Sequence, residues 1–132
     1  MAETSIGRMR PRLAGPPYVV SEGDLQRIRH TARSMGMTVV SLVVPERPSR
    51  RVVLDGLGRA LGFAEWGSNW DAWDDILSGY LDDLPRRVLV LVERVDRLVA
   101  ASPALFAEIV YLLQRTSDGQ PEIEFVFAGR WP

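Results

Sequence analysis

Asp71 and Asp75 stand four residues apart in a stretch of helical pattern, which puts both carboxylates on one face of a helix. Such a pair supports three kinds of chemistry. It can be a general acid and base, as glycoside hydrolysis needs. It can supply oxygen ligands to a divalent cation. Or it can stand in for phosphate opposite a pocket lined by arginine and lysine. The first use lacks its supporting parts, because no nucleophile, base or phosphate-cradling loop lies nearby. The single histidine, His30, belongs to a different segment, among arginines. The second is thin as well: the chain has no cysteine, and no Asp-x-Asp-x-Asp-Gly loop accompanies the acids. Protein recognition is the reading that survives, with no catalytic residue, no metal and no cofactor expected.

The charge distribution agrees. Net charge is −1, yet residues 1–60 hold ten arginines against five acids, while residues 61–132 hold six against twelve. Between Glu65 and Asp83 come six acids, Glu65, Asp71, Asp74, Asp75, Asp82 and Asp83, and no base. Like charges this close repel, and a basic partner relieves them; the bland alternative is a solvated face. All sixteen basic residues are arginine, which a GC-rich coding bias explains as well as any function.

The acids need a helix to carry them. Gly67-Ser68-Asn69 reads as the turn before it, with Asn69 a good N-cap. Asp71 then falls in the first turn, where the helix dipole favours negative charge. Trp70, Trp73 and Leu77 recur on an inward stripe, and Asp71, Asp75 and Gly79 on an outward one. The expected acidic helix runs from about Asn69 to Tyr80.

The helix in turn needs a scaffold. Residues 1–17, with Gly15-Pro16-Pro17 and few large apolar groups, read as a loose arm, and 18–132 as one domain. Ser21 with Asp24 three residues on resembles a capping box, opening a helix with Leu25, Ile28, Ala32 and Met35 on one stripe and ending at Gly36. Its other face carries Arg27, Arg29 and Arg33, more in keeping with a solvated face than with nucleic-acid binding. The β-branched run Thr38–Val44 predicts a strand buried on both faces of a parallel sheet. Ser49 caps a second helix holding Val53, Leu57, Ala60 and Leu61; its Gly56 and Gly58 each cost about 1 kcal/mol against alanine, so tertiary packing must hold it. Residues 88–92 form another buried strand, Ser102-Pro103 opens a long helix ending at Asp118-Gly119, and residues 123–128 form the last strand. Strands separated by helices predict an α/β fold with a small parallel sheet.

The stretch from Glu65 to Tyr80 resembles the barstar family, intracellular inhibitors of barnase-type ribonucleases. The family pattern is met by Trp66, Gly67, Asn69, Asp71, Ala72, Asp75, Leu77, Gly79 and Tyr80, and the flanking elements agree over about 38–129. The resemblance implies a three-stranded parallel sheet packed by helices, to which the helix at 21–35 is an addition. It implies inhibition by occlusion in a 1:1 complex with a secreted basic ribonuclease. Asp75 would take the place of a substrate phosphate, Asp71 would pair with a second basic group, and Asn69 and Gly79 would present backbone, with Trp66 and Tyr80 at the same contact. Three positions depart from the pattern. Glu65 replaces a tyrosine, Asp74 replaces a tryptophan, and Gln114 stands where a glutamate touches the enzyme. These changes bear on which nuclease is bound more than on how. The alternative is a regulatory or scaffolding domain of the same fold with a non-nuclease basic partner; a carboxylate-dependent hydrolase ranks third.

No apolar run approaches the ~20 residues of a membrane span, and residues 1–15 lack the apolar core of a signal peptide. With no cysteine to oxidise, the expectation is a cytoplasmic protein that binds neither membrane nor nucleic acid.

Overall fold

The computed structural model describes residues 17–62 and 87–131. Four strands, β1 (Tyr18–Ser21), β2 (Thr38–Val43), β3 (Val88–Glu93) and β4 (Ile123–Gly129), form one sheet in the order β1-β4-β3-β2. Every neighbouring pair is parallel. A short 3-10 turn (Glu22–Asp24) leads into α1 (Leu25–Ser34); α2 (Arg50–Ala60) follows β2, and α3 (Asp96–Ala101) and α4 (Pro103–Gly119) follow β3.

The two central strands dictate the rest. Every residue of β4 is buried, as is every residue of β3 except Glu93. Strands buried on both faces need cover above and below. Val88, Val90, Val92, Ile123, Phe125 and Phe127 face α2, α3 and α4, meeting Val53, Leu54, Leu57, Leu98, Ile109 and Leu113. Leu89, Leu91, Val126 and Ala128 point the other way, onto Leu25, Ile28 and Ala32 of α1 and onto Met37. The chain crosses from one sheet edge to the other beneath α1, then steps back through β3 and β4 beneath the remaining helices. Reversing direction while changing face lets every connection keep the same hand, as parallel crossovers require.

Several expectations are corrected here. The sheet has four strands, not three: β1 pairs in register with β4, Tyr18 opposite Val126 and Ser21 opposite Gly129. Four residues are too few for a periodic signal, and only the bare edge of β4 makes them a strand. The capping box fails for the same reason. Ser21 is the last residue of β1 and makes no side-chain cap bond, and α1 starts at Leu25 after the 3-10 turn, with Asp24 likewise not capping. The run at 38–44 is not buried on both faces. Among the described residues β2 is an edge strand, with Val43 54% exposed, and an apolar run cannot announce which of its sides will lack a neighbour. Helix α3 gave no signal, being six residues long.

The two caps that matter for the other helices are as expected. Ser49 accepts a hydrogen bond from the Val52 amide, and Ser102 one from Leu105, with Pro103 at the first helical turn. Gly56 also has its reason. A β-carbon there would lie 2.4 Å from Leu42 Cδ1, so any side chain at this position must displace Leu42 for α2 to settle on β2 as it does. The packing that α2 needs is supplied by Val53, Leu54 and Leu57, all buried.

On the opposite face, α1 is held mainly by apolar burial. Leu25 and Ile28 are nearly inaccessible, and each such side chain contributes about 1.5–3 kcal/mol as an upper figure. The exposed Arg27–Asp24 pair is worth at most about 1 kcal/mol. The half-buried Arg29 adds a directed contact, with Nη2 2.6 Å from Glu93 Oε2 and 3.3 Å from Ser41 Oγ, tying α1 to β3 and β2.

Replacing Gly56 by valine should lower unfolding free energy by about 1–3 kcal/mol through overpacking against Leu42. Urea denaturation measures it; an unchanged midpoint would mean that α2 does not depend on this close approach.

Candidate partner-binding site

The acidic segment is inserted between two well-anchored points. α2 ends with Leu61 buried and Gly62 in the left-handed region at φ 85°, its amide bonded to the Arg59 carbonyl. That is the usual glycine stop of a helix. The chain re-enters at Arg87, whose carbonyl accepts from the Thr38 amide at 2.8 Å and whose Nη2 reaches Met37 Sδ at 3.7 Å. Because α2 returns antiparallel to β2, both points lie at the amino end of the sheet. Glu65, Trp66, Asn69, Asp71, Asp74, Asp75, Gly79 and Tyr80, and the helix expected over Asn69–Tyr80, lie outside the described residues.

Gln114 is described. It is half-buried on α4, and its Nε2 donates to Asp118 Oδ1 at 2.9 Å, one turn along. That bond uses one of the two amide hydrogens and leaves the Gln114 carbonyl and the second Asp118 oxygen as acceptors. Ile109 and Leu113 root α4 in the core, while Tyr111 is 68% exposed. His30 is exposed on α1. Among those residues, no group of three His, Cys, Asp or Glu side chains could hold a metal ion.

A second charged cluster went unnoticed in the sequence. At the carboxyl end of the sheet, Arg94 takes a left-handed backbone at φ 63°, uncommon for a residue with a β-carbon. Its guanidinium grips Asp96 through Nε at 3.1 Å and Nη2 at 3.0 Å. Asp96 Oδ1 also accepts from the Arg130 amide at 3.1 Å, and Arg130 Nε reaches Glu22 Oε2 at 2.5 Å. The ends of β1, β3 and β4 are thus joined by four alternating charges. The Arg94 hydrogen bond holds the Asp96 carboxyl below its ordinary range, and the Arg130 hydrogen bond does the same for Glu22; Arg94 is correspondingly raised by Asp96. Only Glu93-Arg94-Val95-Asp96-Arg97, with alternating sign, hinted at it.

Parallel strands alternating with helices around two apolar layers define an α/β sheet protein, and its longest insertion carries an uninterrupted acidic run. Residues 37–128 match the model of the family described as Barstar (barnase inhibitor), and the chain therefore belongs to the barstar family. The match spans β2 through β4 with the acidic segment inside it; β1 and α1 precede it. No curated protein matches the chain significantly.

Since both depressed carboxylates favour the folded state when ionised, their contribution is present above the unfolded carboxylate range and fades as pH falls through the lower folded values. Asp96→Asn should therefore lower stability at neutral pH and flatten the acid limb of the stability curve. Thermal unfolding between pH 7 and pH 3 checks this; parallel curves for the two proteins would contradict it.

Proposed function

We propose that the chain inhibits a barnase-like, guanyl-preferring ribonuclease by presenting its acidic segment to the enzyme's phosphate-binding site. The observation that carries this reading is the family match over 37–128, which contains Asp71 and Asp75. The family is one of barnase inhibitors, so the coarse role follows from membership.

The physical logic is electrostatic mimicry. A ribonuclease gathers positive charge where it binds the substrate backbone, and a carboxylate seated there accepts the charge-assisted bonds otherwise made to phosphate. Asp75 takes the central position and Asp71 pairs with a second basic group. Asn69 and Gly79 bring backbone to the contact, flanked by Trp66 and Tyr80. Glu65 and Asp74, where the family pattern has aromatic residues, trade ring contact for negative charge. That exchange favours long-range steering over anchoring. Gln114 offers its carbonyl where the pattern has a carboxylate, so a basic group facing it gains a neutral acceptor. The complex is 1:1 with a secreted basic enzyme, and the inhibitor acts in the cytoplasm, where it protects the cell's own RNA.

Suppression of RNA cleavage by a barnase-like enzyme tests the reading. Asp75→Ala should weaken inhibition by at least about 2 kcal/mol, the scale of an interface hot spot. Asp74→Ala should cost less. Equal losses from the two variants would reject the assigned face, and absence of inhibition by the wild-type chain would redirect the acidic segment to a non-nuclease basic partner. Association should also slow steeply as salt rises from low values to 0.1 M, where the screening length shrinks to about 10 Å.

A further inference from the structure

The described residues hold two apolar cores that share the sheet but no side chain. One lies under α2, α3 and α4 and takes nothing from residues before Val40. The other lies under α1, and Tyr18, Leu25, Ile28, Ala32 and Met37 supply its N-terminal share. The family match begins at residue 37, so the unit made of β1 and α1 lies outside the matched span. It joins β2 through the turn at Gly36, where φ is 82°.

At its other end this unit is held by the last residues of the described chain. Trp131 Nε1 donates to the Val20 carbonyl of β1 at 2.9 Å. The indole lies so close over Gly129 that a β-carbon there would stand 2.6 Å from Cζ2. Between them Arg130 fastens to Glu22, just after β1, and through its amide to Asp96. Three consecutive residues, Gly129, Arg130 and Trp131, therefore reach the end of β1 from three directions. Their contacts are polar and partly exposed, with Trp131 37% accessible and Arg130 more so, unlike the dry packing beneath α1.

We infer that β1 and α1 form a separately opening unit of the domain, latched by Trp131. The latch sits on Gly129 because a β-carbon there would push the ring from the place where its N–H meets the Val20 carbonyl. When the ring leaves, β1 loses its end bond, and opening the unit about Gly36 then costs only its pairing with β4, the Arg29–Glu93 contact and its apolar packing on Leu89, Leu91, Val126 and Ala128. The other core, which shares no side chain with it, stays packed. Separately packed regions of this kind open as cooperative units of their own free energy.

Hydrogen–deuterium exchange of the full chain, read by mass spectrometry, tests this. In Trp131→Ala, peptides covering residues 18–34 should exchange about tenfold faster, the scale of one lost hydrogen bond with its packing. Peptides covering α2 and residues 88–93 should exchange as in the wild type. Gly129→Ala, which keeps the indole but drives it off its seat, should give the same pattern. Trp131→Phe, which keeps a ring but not the donor, should give a smaller acceleration in the same peptides. Equal acceleration throughout the chain would show one cooperative unit and overturn the inference. Unchanged exchange at 18–34 in either Trp131→Ala or Gly129→Ala would overturn it as well.

Discussion

Burial of β3 and β4 on both faces is the constraint from which the other features follow. Two adjacent strands with almost no exposed residue leave no face for water, so each side of the sheet must be closed by helix. Each closure carries its own apolar set, and the alternation along β3, with Val88, Val90 and Val92 to one side and Leu89 and Leu91 to the other, keeps the sets apart. The order of strands, the change of face between α1 and the later helices, and the absence of a β-carbon at Gly56 are consequences of filling those two spaces with one chain.

This scaffold lets an unfavourable segment exist. Six acids without a base between Glu65 and Asp83 raise the energy of any compact arrangement that contains them. The chain carries them between a glycine-stopped helix and the start of a central strand, so the repulsion is borne by elements fixed through other contacts. Repulsion stored in this way is relieved when a cationic surface arrives. Under the proposed function, an inhibitor of a phosphate-binding enzyme would use such charges both to attract the partner and to fill its site.

The N-terminal addition has a different physical character. The strand and helix before the family-matched span cover the second sheet face and the edge of β4, and they are joined to the C-terminal residues by polar contacts at the carboxyl end of the sheet. Chain ends that are distant in sequence are thus neighbours in space. The four-charge series from Glu22 through Arg130 and Asp96 to Arg94 is mutually neutralising, in contrast to the one-signed run in the acidic segment. Compensated charge of this kind serves cohesion.

What the sequence determined by itself was local and periodic. The caps at Ser49 and Ser102, the helical stripes of α2 and α4 and that of α1 as far as Ala32 (Met35, expected on it, lies past the helix and is exposed), the apolar strands, and the α/β class all follow from interactions within a few residues, which composition and spacing report directly. The motif around Asp71 and Asp75 was equally legible, since its residues are contiguous, and it led to the family. Tertiary structure alone decided what depends on distant neighbours. Tyr18–Ser21 is a strand only because β4 has an open edge; Thr38–Val43 is an edge strand only because nothing among the described residues pairs beyond it. Arg94, Asp96, Arg130 and Glu22 meet only where three strands end together. Gly129 is required only because Trp131 lies over it. Each of these rests on a contact partner set by the path of the whole chain, and no window of sequence contains both members of the contact and the reason they meet.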